Sequence, residues 1–198
     1  YIEVFEGGSN NIGKRTINID YADMISMLYN SFEKDFDRSS SVYVFFNNMN
    51  LSGVEAEIDF LKSKQFSNII FVEGEEKEFR TAIEDLVHSK KNAYIFSLDK
   101  SSTDNICKII GGSSVYNEHI KGFYCIGATT FFLNKLNDGT IDAITTVNEY
   151  DEGYLAVEML IADLKKTNYM SSIDMENMLI DKDSLENEAV VKQLFPID

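Results

Sequence analysis

Apolar residues follow two rhythms along this chain. Short runs rich in Val, Ile and aromatic residues read as strands: Tyr1 to Phe5, Thr16 to Ile19, Val42 to Phe46, Ile69 to Val72, Ala93 to Leu98, Phe123 to Ile126, Ile141 to Val147 and Met178 to Ile180. Between them apolar positions recur at steps of three and four. That spacing predicts helices over Ala22 to Phe36, about Ser52 to Lys64, Glu75 to Ser89, Asp99 to about Ile110, Thr130 to Leu136, about Tyr150 to Leu164, and near Leu185 to Leu194. Polar and Gly-rich stretches at Glu6 to Lys14, Asp37 to Ser41, Gly111 to Glu118 and after Leu164 read as connections. The unbroken apolar run Val42 to Phe46 is expected of a strand covered on both faces. Strand and helix alternate throughout, so the fold class is α/β: a doubly wound, mostly parallel sheet with helices on both faces and right-handed crossovers.

The stretch Asp138 to Leu164 is the most informative. A buried strand hands over at Asn148, without a long loop, to an amphipathic helix. Tyr150, Tyr154, Val157, Ile161 and Leu164 share one face of that helix, which is expected to be core. In a sheet of this class, ligands collect at the carboxyl ends of the strands, where the order reverses. The rim residues are then Asp20, Asn47, Asn48, Glu73, Asp99, Lys100, Ala128, Thr129 and Asn148.

With 198 residues, 44% of them hydrophobic, the chain can form one large domain or two small lobes. Its formal net charge of −15, from 18 Lys+Arg against 33 Asp+Glu, repels a phosphate backbone and an anionic membrane surface. Cys107 and Cys125 have neither zinc nor redox-pair spacing and are expected to be buried free thiols. No apolar run reaches the ~20 residues that span a bilayer, and no signal-peptide pattern is present. The chain begins at Tyr1, as expected of a piece of a longer product.

Catalytic patterns are missing. There is no GxGxxG after a strand, no GxxxxGK[ST] and no GxSxG elbow. His88 lies near a helix end and His119 in a loop; both read as surface residues. Carboxylates do not cluster as a metal site would need. Neither enzyme activity nor a cofactor or metal is expected. Asp99, at a strand end, can accept hydrogen bonds from ligand hydroxyls or cap the helix that follows. The Asn148 amide offers both donor and acceptor to a polar ligand.

Three stretches carry a family resemblance: FVEGEEKEFRTAIEDLVHSKKNAYIFSLDKSSTDNICKII, FYCIGATTFFLNKLNDGTIDAITTVNEYDEGYLAVEML and MLIDKDSLENEAVVKQLFPID. With L-N-D-G-T-I-D-A and N-x-Y-x-x-G-Y in order, they resemble the second half of a type 1 periplasmic sugar-binding protein. Lac-repressor-type regulators share that architecture. The resemblance implies two similar lobes joined by three crossovers, with the ligand held between them. Residues 1–15 resemble a remnant of a first-lobe strand and crossover, and 16–145 the α/β ligand-binding lobe. Residues 146–182 resemble the hinge, a helix of first-lobe type and the return crossing, and 183–198 a C-terminal tail helix. The early units of the first lobe have no counterpart. The apolar face of the helix 150–164 is therefore expected to pack in a new place or to pair with a second chain.

The implied ligand-binding residues are Asn47, Asn48, Asp99, Lys100, Thr129 and Asn148, the last resembling the hinge Gln or Asn that contacts the sugar. Asp99 or Lys100 stands where sugar binders carry an Asn-Asp pair. Thr129 stands where they usually have Asp after Ile-Gly, and Leu51 to Phe60 lacks their arginine. Another small polar ligand fits as well as a free monosaccharide. The resemblance implies an extracytoplasmic module at the bacterial cell surface that binds or senses a small, carbohydrate-type solute. Its partners would be a membrane permease or a sensor kinase, and no nucleic acid. The alternative is the effector-binding domain of a lac-repressor-type transcription regulator.

Overall fold

The structure is a computed structural model and describes residues 2–6, 15–33, 36–47, 54–64, 66, 68–111 and 114–194. In chain order the elements are β1 (Ile2–Glu6), β2 (Arg15–Ile19), α1 (Tyr21–Phe32), β3 (Ser41–Phe46), α2 (Val54–Ser63), β4 (Asn68–Glu73), α3 (Glu76–Ser89), β5 (Ala93–Ser97) and α4 (Lys100–Ile110). There follow α5 (Ser114–Asn117), β6 (Ile120–Ile126), α6 (Thr130–Asn137), β7 (Ala143–Val147), α7 (Glu149–Lys165), β8 (Ser172–Asp174), β9 (Asn177–Asp181), a 3₁₀ turn (Asp183–Glu186) and α8 (Glu188–Leu194).

Among the described residues the strands form two sheets. The larger has the order β4-β3-β5-β6-β7-β9, parallel throughout except for β9, which runs antiparallel to β7 at the edge. Alternate residues of each strand face opposite layers, as the pleat requires. Val42, Val44, Tyr94, Phe96 and Tyr124 join α1 and α2 in one core layer; Tyr43, Phe45, Ile95, Phe123 and Ile144 join α3, α4 and α6 in the other. Two-sided burial explains why these strands read as continuous apolar runs.

Phe36 is a hub of the first layer. Tyr29, Phe66, Tyr94, Phe96 and Tyr124 surround its ring, with centroids 4.8 to 6.2 Å away. The helix expected to run through Phe36 ends at Phe32, and Phe36 lies outside it, dropped into the core. Periodicity missed the end because Phe36 is apolar for a tertiary reason.

The smaller sheet, β1-β2-β8, is wholly parallel. The strand expected at Thr16–Ile19 therefore forms, but in this sheet and not in the large one; the large body begins at α1. Three handovers join the bodies among the described residues: Ile19 to Tyr21, Val147 to Glu149 and Asp174 to Asn177. The first and third are laced together. Asn18 Nδ2 donates to Asp174 Oδ1 (2.7 Å), Met175 N to Asn18 O (2.9 Å), and Asn177 Nδ2 to Asp20 O (2.9 Å) and Asp23 Oδ2 (2.8 Å).

Helix α7 packs against the small sheet, and here one expectation is overturned. Its buried residues are Met159 and Ala162, while Tyr150, Tyr154, Val157, Ile161 and Leu164 are 42% to 76% exposed. A tether decides the rotation. Buried Arg15 donates from Nε to Asp163 Oδ1 (2.8 Å) and from one terminal nitrogen to the carbonyls of Tyr169 (2.9 Å) and Met170 (2.8 Å). The helix is apolar on both sides, so periodicity alone could not choose.

Three smaller differences concern short elements. β8 forms within the stretch read as a polar linker, and the single turn α5 within a predicted loop. The last predicted helix divides into the 3₁₀ turn and α8.

Both cysteines are free and buried. Burial pushes the Cys107 thiol up to about 12, and Cys125 higher still. A thiol reagent such as DTNB should modify neither in the native protein at pH 8 and both in guanidinium; native-state labelling would show that this core opens. Phe36→Ala should cost about 3–5 kcal/mol, read from the shift in urea midpoint.

Candidate functional site

Each parallel strand of the large sheet delivers the chain to its carboxyl end, and a helix leaves from there. Helix N-termini carry backbone N–H groups without partners in the helix, so a capping acceptor is needed at each. The expected site residues fall at these positions. Asp99 caps α4, Oδ1 accepting from Ser102 N (2.8 Å). Thr129 caps α6, Oγ1 accepting from Phe132 N (3.1 Å). Asn148 caps α7, Oδ1 accepting from Tyr150 N (3.1 Å) and Asp151 N (3.2 Å), while Nδ2 donates to Asp151 Oδ2 (2.7 Å). Asp20 does the same for α1 through Asp23 N (2.9 Å).

Asp99 also reaches sideways. Its Oδ2 accepts from Asn47 N (2.7 Å), and Asn47 Nδ2 donates to Gly74 O (3.3 Å). Asn47 and Asp99 are thus brought together, and the ends of β3, β4 and β5 are tied. Asn48 lies outside the described residues. Two oxygens accepting one bond each leave about half of a carboxylate's lone-pair capacity for other donors.

Behind Asp99 lies a hydroxyl network that the sequence reading passed over. Ser97 Oγ is 2.6 Å from Ser102 Oγ and 2.8 Å from Thr103 Oγ1, and the Ser102 and Thr103 hydroxyls each lie 3.0 Å from Asp99 O, with one proton per hydroxyl to share among these contacts. All three side chains are buried. A satisfied network of this kind fixes one backbone position. The small polar residues after β5 were its only signal.

Lys100 forms an ion pair with Glu149, linking the start of α4 to the start of α7. Between those helices lies the turn after β6, where Gly127 has φ +89°. A Cβ at Gly127 would stand 2.8 Å from Lys100 Cγ and 2.9 Å from its Cε. The lysine stem therefore crosses the end of β6 against bare backbone. Gly127 is needed there twice, for its left-handed conformation and for the space. Glu149 was missed from sequence because acid in a first helical turn is ordinary complement to the helix dipole. Both charges are about half exposed, so the pair contributes little to stability and can re-form around a ligand.

Next to Asn148 is a cavity of ≈ 260 Å³, with Asp151, Asp174 and Glu176 as its carboxylates and Leu155 and Met178 as apolar walls. A larger cavity of ≈ 510 Å³ lies at the amino ends of the strands, lined by Asp37, Asn68 and Lys91 among others. That is the wrong edge for a ligand in such a sheet. Among the described residues no group of three His, Cys, Asp or Glu could hold a metal ion. His88 Nδ1 lies 2.8 Å from Glu84 O on an exposed helix face, away from the rim.

Asp99→Ala should lower stability by about 1–2 kcal/mol through the lost cap, with a smaller loss for Asp99→Asn, measured by urea unfolding. Equal midpoints for all three proteins would mean that the cap and the Asn47 bond contribute nothing.

No family model matches the chain, and no curated protein matches it. Solved structures do. An ABC transporter solute-binding protein from Agrobacterium vitis, bound to α-D-tagatopyranose, is 16% identical with TM-score 0.79, over 98% of this chain and 70% of its own. Another from the same organism, with bound D-fucose, is 12% identical with TM-score 0.78 over the same shares. A glucose-galactose binding protein from Geobacillus stearothermophilus is 12% identical with TM-score 0.76, over 93% of this chain and 68% of its own. The resemblance read from the sequence is borne out at the level of fold. The chain has the α/β architecture of the periplasmic sugar-type solute-binding proteins and spans about 70% of their length.

Proposed function

We propose that this chain is an extracytoplasmic binding module for a small hydroxyl-rich solute, working with a membrane permease or a sensor kinase and carrying out no covalent chemistry. The observation that carries the reading is the rim itself. Asn47, Asp99, Lys100, Thr129, Glu149 and Asn148 stand at the carboxyl ends of successive strands, beside the handovers to the small sheet. Two of the solved structures of this fold described above hold sugars, which supports the same ligand class here.

The chemistry suits polyols. The Lys100–Glu149 pair presents a donor and an acceptor side by side, and neighbouring sugar hydroxyls need one of each. Asp99 retains acceptor capacity, and the Asn148 amide retains an N–H beyond the one given to Asp151. The ligand would bridge the rim and the small-sheet body, and would favour a closed arrangement through its greater affinity for that form.

The test is a thermal-shift series with D-tagatose, D-fucose, D-arabinose, D-glucose and D-galactose, followed by calorimetry on any that respond. At least one should raise Tm in proportion to the logarithm of its concentration. Lys100→Met should weaken that ligand about tenfold or more without changing the fold seen by circular dichroism. If none of the five shifts Tm, sugar binding by this chain is wrong.

A further inference from the structure

Helix α7 belongs with the small body, yet it starts on the large one. Its length lies against β1 and β2, and Arg15 ties it there through Asp163. Its first residue, Glu149, follows β7 of the large sheet across a handover one residue long, Asn148, held at φ −74° and ψ 96°. The side-chain bonds of Asn148 all go to the first turn of α7, so they travel with the helix and do not fix it against the large sheet. The Lys100–Glu149 pair does cross that junction, because Lys100 opens α4, which packs on β3, β5 and β6. We propose that this pair is a latch: it holds the angle between the two bodies, and a polar ligand that takes up either charge releases it.

The lysine is prepared for that duty. Its stem lies over Gly127, where a Cβ would stand 2.8 Å from Cγ, and so its ammonium group is delivered past the end of β6 to the start of α7. A stem laid on backbone has already given up much of the rotamer freedom that an ion pair otherwise costs. The first and third handovers are fastened to each other, Asn18 to Asp174 and Asn177 to Asp20 and Asp23. Those two crossings form the fixed side of the junction, and the second is the side that swings. Both members of the pair are about half exposed, so its hold amounts to about a twofold to fivefold bias between two arrangements, and salt weakens it. A hold of that size suits a switch, since a ligand need offer only a modest advantage in its place. The latch itself needs no sugar; its release by a polyol rests on the function proposed above, and the two can fail separately.

Pulsed electron paramagnetic resonance on the whole chain reads the angle as a distance. Spin labels go on Lys77→Cys in α3 and Asn168→Cys beyond α7, both at exposed positions, while Cys107 and Cys125 are buried and stay unlabelled. The labelled chain, otherwise unchanged, should show a main distance and a minor one. Lys100→Met and Glu149→Gln should each raise the ratio of minor to main about twofold to fivefold, with circular dichroism unchanged. The two together should raise it no further than either alone, because each removes the same interaction. Salt at about 0.5 M should move the unchanged chain the same way and leave the double variant as it was. A single distance in all four proteins, a ratio untouched by either substitution, or effects that add in the double variant overturn the latch. A sugar that raises Tm yet leaves the distances of the unchanged chain unmoved overturns the release by ligand.

Discussion

Two parallel strands cannot be joined by a tight turn; the chain must climb back across the sheet before it can run the same way again. Here the return is a helix each time within the large sheet. Every such helix starts at the carboxyl edge, and each start exposes backbone N–H groups that need acceptors. The architecture thus gathers Asp20, Asp99, Thr129 and Asn148 at one edge as caps before any ligand is considered. The rim of the candidate site is a by-product of the same topological requirement that built the sheet.

Structural duty and binding are not rival roles for these side chains. Asp99 holds Ser102 N and Asn47 N and still has acceptor capacity facing the rim, so capping preorganises the group that a ligand would meet. The buried hydroxyls of Ser97, Ser102 and Thr103 serve the same end by fixing the Asp99 backbone from behind. Lys100 is the mobile part. Its stem rests on Gly127, and its ammonium group is held by an ion pair exposed enough to exchange partners at small cost.

The two bodies differ in how they are held. The large sheet is covered on both faces and stabilised by aromatic packing around Phe36. Among the described residues the small one is three parallel strands with α7 against it, held together by buried Arg15 and joined to the large one by three handovers of chain. Asn18, Asp20, Asp174 and Asn177 link the first and third handovers. Lys100 and Glu149 span the second. Relative motion of the bodies would have to work through these few polar contacts, which are cheaper to rearrange than a packed core.

Local pattern was enough for the alternation of strand and helix, the two-sided burial of β3, and the placing of Asn47, Asp99, Thr129 and Asn148 at strand ends. Period 2, period 3.6 and capping chemistry are properties of neighbouring residues, and neighbours are what a sequence displays. It could not show that Thr16–Ile19 belongs to the smaller sheet, because strand pairing is not a property of neighbouring residues: β2 lies between β1 and β8, and Thr16 pairs with Ser172 from the far end of the chain. Nor could it orient α7, apolar on both sides, until Arg15 reached Asp163 from 148 residues away. Glu149, too, became a site residue only when the fold set Lys100 across Gly127. Distance along the chain hides such contacts, and only three-dimensional packing decides them.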